Sequence, residues 1–313
     1  MALPRTLLAQ TLAKTARIGF LVPTTRKGYA PRIEGFKAGL RELGYVEGKN
    51  LTIEYRSVED DRYERLPELA AQLVAQKPDA LVTGGTPAPL ALKRATATIP
   101  IVMGSISDPV ATGVVPSLAR PGGNITGCSF FVAELGVKRL EMLKQALPRL
   151  TRVAVLMNAE NVSMVPVERE MQPAAKQLGI VMQRHNVRSP ADFESSFAAM
   201  KEQGAEALVI VEDAMLNVNS RQLGAAATAR QLVSIGAPEV ARGGGTFAYG
   251  VDQVAMFHRA AYFIDKILNG TKPADLPVER VTKFELTVNR KTLKALGIAL
   301  PQTVLIRADR VIE

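Results

Sequence analysis

A short apolar run occurs twice in this chain, and each copy leads into the same kind of segment. Residues 17–22 read RIGFLV and residues 152–157 read RVAVLM. Each run precedes a helix-like pattern that stops at a Leu-Gly pair, at 43–44 and at 178–179. Both pairs are separated by the same 135 positions (152 − 17 and 179 − 44). The triplet ALV at 80–82 returns at 207–209, an offset of 127 (207 − 80), so the second copy is shorter there by eight (135 − 127). A fixed internal offset marks a structural unit used twice.

The unit itself reads β-α-β-α-β. The run at 17–22 suits a buried strand, and Ile33, Phe36, Leu40 and Leu43 then share one helical face, closed by Gly44. Residues 51–55 form a second strand, Leu66, Leu69, Ala70, Leu73 and Val74 a second helix, and residues 80–82 a third strand before Gly84 and Gly85. Apolar strands that alternate with amphipathic helices imply parallel sheets covered on both faces. The expected fold class is therefore α/β: two doubly wound parallel-sheet lobes joined by a hinge. The 313 residues fit this, because a single core stops growing at roughly 250–300 residues. After residue 248 no third unit begins. A helix at 252–268, a linker plus a strand over 276–289 and a short helix at 291–296 are too small to fold alone, so they should complete the two lobes.

Composition removes several kinds of chemistry. Cys128 is the single cysteine, which excludes an internal disulfide, a cysteine-based metal site and a two-cysteine racemase mechanism. His185 and His258 have no second histidine at ligand spacing and are expected to be structural. The sequence contains neither GxxxxGK[ST] nor GxSxG. A GxGxxA match at 243–248 has no clear strand leading into it. The 39 basic and 30 acidic residues give a net charge of +9, but the excess is scattered, so no nucleic-acid partner is expected. No apolar stretch approaches the roughly 18 residues of a transmembrane helix, so no stable membrane insertion is expected. Residues 1–16 resemble a signal-peptide remnant: Arg5 is basic and the end is rich in small residues, though Gln10, Thr11 and Lys14 interrupt the apolar stretch.

In open α/β sheets, ligands bind beyond the carboxyl ends of the strands. The repeat therefore names the candidate loops. The first copy offers Thr24 and Thr25, then Gly85 and Thr86, then Ser105, Ser107 and Asp108. The second offers Asn158 and Asn161, then Asp213, then Glu239, with Glu160 and Glu212 beside them. Thr86 and Asp213 are equivalent under the 127 offset (213 − 86). Phe130, Phe131 and Tyr249 fall near the expected crossings between lobes. Backbone N–H groups near Gly85, with the hydroxyls of Thr86 and Ser105, suit a carboxylate. The side chains of Asp108, Glu160, Asp213 and Glu239 suit an ammonium group. Aromatic rings suit an apolar side chain. Together they point to a zwitterion such as an amino acid. Plainer roles compete: Asp108 before Pro109 is a good helix cap, Asp213 can cap as well, and Phe130 and Phe131 can be core.

Several longer motifs resemble one family. They are ELGYVEGKN at 42–50, IEYR at 53–56, TIPIV at 98–102, DP at 108–109, RPGGNITG at 120–127, ADLPVE at 274–279 and TKFEL at 282–286. In this order they resemble the bacterial ABC-transporter substrate-binding proteins of the tryptophan/tyrosine type, over residues 17–313. The resemblance implies a type I periplasmic binding fold with crossings near 127–129, 246–249 and 277–282. Lobe 1 would comprise 17–127 plus 249–278, and lobe 2 residues 128–248 plus 279–313. It also implies a periplasmic, monomeric, non-enzymatic receptor with no cofactor, whose partners are a small ligand and an ABC-transporter membrane permease. Aromatic amino acids are among the family's ligands. With no tryptophan in the chain, any stacking platform must come from Phe or Tyr. A sensor feeding a membrane receptor, the effector-binding part of a transcription regulator and a small-molecule enzyme share this kind of fold. The regulator reading needs several helices before residue 17, where the sequence has sixteen residues.

Overall fold

The computed structural model describes residues 15–300 and 302–313, so most of the candidate signal segment, residues 1–14, lies outside the described residues. In chain order the strands are β1 (Ala16–Val22), β2 (Leu51–Ser57), β3 (Ala80–Gly84), β4 (Ile101–Ile106), β5 (Ile125–Ser129), β6 (Arg152–Asn158), β7 (Val181–Val187), β8 (Ala207–Ile210), β9 (Val233–Gly236), β10 (Phe247–Gly250), β11 (Glu279–Arg280), β12 (Glu285–Asn289) and β13 (Arg310–Ile312). They form two sheets, ordered β2-β1-β3-β4-β5-β11 and β7-β6-β8-β9-β10-β12-β13.

The internal repeat is visible in this order. β1 is flanked by β2 and β3, and β6 by β7 and β8, all in parallel. Each repeated strand is an interior strand one place from the sheet edge, and each belongs to its own sheet. Ile18 and Phe20 of β1, like Val153 and Val155 of β6, are fully buried. Phe20 packs against Tyr29, Phe36, Tyr55 and Phe257, which ties β1 to β2, to the helix Arg26–Glu42 and to the helix Gln253–Leu268. That last helix packs on the first lobe.

β12 departs from the all-parallel expectation: it runs antiparallel to β10. The chain leaves β11 at the cleft end of the first sheet and enters the second sheet from its own cleft end. A strand entering there must run opposite to strands that end there.

The crossings also fall a few residues later than expected. β5 pairs with β4 through Ser129, so Cys128 and Ser129 belong with the first lobe, as do Glu279 and Arg280 of β11. Tyr249 and Gly250 pair with β12 in the second. The crossings lie at 130–131, 251–252 and 281–284. The lobe boundaries at 127/128, 248/249 and 278/279 shift accordingly. Gly127 explains the first shift. Its φ is +135°, and a Cβ there would lie 2.2 Å from the Met103 carbonyl oxygen. It is a close approach inside a strand rather than the strand's end. Cys128 follows it, and burial pushes its thiol up to about 12, an inert core position.

Candidate ligand site between the lobes

The carboxyl ends of both sheets face one another across a cleft that is closed around a cavity of about 20 Å³. From the first lobe, Tyr29, Gly85, Thr86, Ser105, Ser107 and Gln253 line it. From the second come Asn161, Ser163, Glu212, Asp213, Ala214 and Asn217, with Phe130 and Val132 at the first crossing. Thr86 stands at the N-cap of the helix Pro87–Ala95 and Asp213 at that of the helix Ala214–Val218. The two repeat-equivalent residues thus occupy matching places on opposite walls.

Asp213 is the centre of a dense network. Its Oδ1 accepts from the N–H groups of Met215 (3.0 Å) and Leu216 (3.3 Å) and from Asn158 Nδ2 (3.1 Å). Its Oδ2 accepts from Asn161 Nδ2 (2.8 Å) and, across the cleft, from Tyr63 Oη (2.9 Å). Burial, reinforced by the charge of Asp213, pushes the Tyr63 phenol well up, so it stays a donor. Beside this contact, Tyr63 N–H donates to Glu160 Oε2 (3.1 Å), and Asn219 Nδ2 donates to Asp61 Oδ2 (3.1 Å). The loop after β2 is therefore fastened to three loops of the second lobe.

Two ion pairs frame the site, the first fully buried and the second partly buried. Arg139, fully buried, forks onto both oxygens of Glu212 and also donates to the carbonyls of Ile210 and Tyr249. It binds the ends of β8 and β10 together at the base of the crossings. Burial raises the Glu212 carboxyl and Arg139 opposes the rise. The second pair crosses the cleft. Arg32, on the helix Arg26–Glu42, donates to Glu239 Oε1 of the second lobe at 2.8 Å, while its Nε donates to Gln253 Oε1 at 2.7 Å.

Eight of the residues named from the sequence line the cavity: Gly85, Thr86, Ser105, Ser107, Phe130, Asn161, Glu212 and Asp213. Glu239 sits just behind it, paired to Arg32. The others are elsewhere. Asp108 caps a turn, accepting from the N–H groups of Val110 and Ala111 (both 3.0 Å). Thr25 caps the helix Arg26–Glu42 by accepting from Gly28 N–H (3.2 Å), and Thr24 is wholly buried. Asn158 supports Asp213 from behind. Phe131 lies under the Arg280 guanidinium, 4.0 Å from the ring centre, and Tyr249 packs against Phe284. The anion role of Gly85 N–H is also corrected, because that group is taken up by Ser105 O at 2.8 Å. Tyr29, Arg32, Asn217 and Gln253 were not foreseen. Tyr29, Arg32 and Asn217 are borne on helices rather than at strand ends, and Gln253 arrives from the far end of the sequence. Among the described residues there is no acidic, histidine or cysteine cluster that could hold a metal ion, and no helix long and apolar enough to cross a membrane.

Two lobes of this topology, closed over a polar cavity at their facing strand ends, define a two-domain solute-binding fold. The chain belongs to the ABC transporter substrate binding protein family, whose model matches residues 17–312. A conserved domain protein from Vibrio cholerae O1 biovar El Tor has a crystal structure that superposes with a TM-score of 0.89 at 28% identity, covering 95% of this chain and all of that one. The ABC domain from Streptococcus pneumoniae crystallised with L-Trp superposes with a TM-score of 0.85 at 26% identity, covering 94% of this chain and all of its own. A tyrosine-binding protein from Clostridioides difficile is 25% identical over 266 residues, 85% of this chain and 76% of that protein.

Proposed function

We propose that the protein is the solute-binding receptor of an ABC importer and that it closes on a zwitterionic aromatic amino acid. The cavity between the lobes carries this reading. It is polar on both walls, Phe130 stands at its crossing side, and the Thr86 and Ser107 hydroxyls are committed to no protein hydrogen bond among the described residues. Such hydroxyls suit a ligand carboxylate. About 20 Å³ holds roughly one water, so an amino acid enters by spreading the lobes and is then enclosed by hinge closure. The relatives named for tyrosine and solved with L-Trp favour an aromatic side chain. On this reading the protein is not an enzyme, works in the periplasm and delivers its ligand to a membrane permease. A thermal-shift screen of amino acids, sugars and nucleosides tests it. The expected outcome is stabilisation by tyrosine or tryptophan, and stabilisation by sugars alone would contradict it.

A further inference from the structure

The carboxylates of the cleft are not equally available. Both oxygens of Glu212 are held by Arg139, and Asp213 accepts five hydrogen bonds. Glu239 is different. Its Oε1 accepts from Arg32, but its Oε2 is buried with no partner. A second acceptor in the same condition is Asn217 Oδ1, on a side chain 3% exposed at the cavity wall. The helices that carry them, Ala214–Val218 and Pro238–Arg242, touch one another. Buried acceptors left without donors are costly, and two of them on touching helices, one at the cavity wall and one just behind it, call for a ligand with several N–H donors.

The Arg32–Glu239 pair adjoins the cavity. Tyr29, which lines it, lies under the Arg32 guanidinium at 5.1 Å, and Gln253, which also lines it, accepts from Arg32. The pair joins the two lobes, so opening separates it and presents one positive and one negative side chain to whatever enters. An α-amino acid carries the complementary two charges on neighbouring atoms.

We infer that Glu239 Oε2 and Asn217 Oδ1 form the seat for the ligand's ammonium, with Arg32 facing its carboxylate. This rests on the amino-acid reading above and deepens it. Asp213, in this assignment, organises the wall and does not carry the ammonium. Specificity follows from charge balance. A ligand with both charges leaves Arg32 and Glu239 compensated when the lobes shut, and one lacking the amine leaves an unpaired acceptor and an excess negative charge.

The test is calorimetric titration of the full chain with L-tyrosine, L-tryptophan and their deaminated counterparts, 3-(4-hydroxyphenyl)propanoate and indole-3-propanoate. Wild type should prefer the amino acids by at least about tenfold, since a site built to hydrogen-bond a group rejects the analogue that lacks it. Glu239→Gln should erase most of that preference: both ligands lose the Arg32–Glu239 contact between the lobes, and the amino acid loses the partner of its ammonium as well. Asn217→Ala, which leaves the Arg32–Glu239 pair intact, should move the same ratio by about threefold or more. If Glu239 only fastens the lobes, both ligands weaken equally and the seat is overturned. An unchanged ratio in both variants overturns it too. If neither amino acid binds wild type, the amino-acid reading itself fails and the seat with it, an outcome distinct from equal loss.

Discussion

Tyr63 and Asp213 belong to different lobes, yet the Tyr63 hydroxyl donates to Asp213 Oδ2 at 2.9 Å with both residues almost fully buried. The same hydroxyl accepts from Met215 N–H at 3.2 Å. One side chain of the first lobe thus completes the cap of a helix in the second. Closure and the order of the ligand wall are coupled through this contact.

Tyr63→Phe should therefore favour the open state. A hydrogen bond to a charged group contributes about 1.5–3 kcal/mol. Ligand affinity should fall roughly tenfold, mainly through faster dissociation, while the unfolding midpoint barely moves. Stopped-flow dissociation alongside thermal melting checks this, and an unchanged off-rate would show that the contact does not hold the lobes.

Gly28 gives a steric route to the same state. A Cβ at this position would lie 2.8 Å from Val218 Cβ across the cleft and 3.0 Å from Thr25 Oγ1. Gly28 lies inside the helix Arg26–Glu42, where alanine is preferred over glycine by about 1 kcal/mol. Gly28→Ala should leave the fold at least as stable but wedge the lobes apart at a cost of about 1–3 kcal/mol to closure. Small-angle scattering with saturating ligand should show a larger radius for the variant than for wild type.

Arg139 governs stability rather than affinity. Breaking a buried ion pair by removing one partner costs about 3–5 kcal/mol, because the other charge is left uncompensated. Arg139→Met should lose about that much in urea unfolding. Adding Glu212→Gln should recover part of the loss, since the stranded carboxylate is then neutral. No recovery would mean that the carbonyls of Ile210 and Tyr249, not Glu212, are the partners that matter.

Asp61 predicts a pH effect. Its carboxyl is raised chiefly by burial, with Asp213 and Asp60 adding to the rise, while Asn219 and the Thr25 N–H counter it. Closure adds burial, the largest cause, and brings Asp213 near; the Asn219 amide that closure also brings opposes them but is outweighed by burial, so the closed state holds the proton more tightly than the open one. A raised carboxyl favours the closed state increasingly as pH falls and loses that contribution as pH rises through the shifted value. Wild type should become relatively more closed as pH falls through the raised carboxylate range, and Asp61→Asn should respond less. A steeper response in the variant would reverse the assignment.

The sequence carried the architecture further than the site. The offset between β1 and β6 foretold two separate sheets, because buried parallel strands are continuous apolar runs that show in a single sequence. It also placed Thr86 opposite Asp213. What it could not show was which polar groups are already spent. Asp213 and Asp108 look alike as acidic residues at loop starts, but one is enclosed by five donors and the other caps a turn at the rim. Partners such as Tyr63 are 150 positions away from Asp213, and no local pattern links them. Arg32 and Asn217 sit within otherwise ordinary helices, and nothing local in the sequence marks the cleft they meet.

Calorimetric titration of the wild-type protein with L-tyrosine and L-tryptophan, with a neutral sugar as reference, is the most direct test of the central claim. The account predicts one-to-one binding of at least one of the amino acids, tighter than the sugar by at least about a hundredfold, or roughly 2.7 kcal/mol. No measurable heat from either amino acid, or a sugar binding more tightly than both, would contradict it.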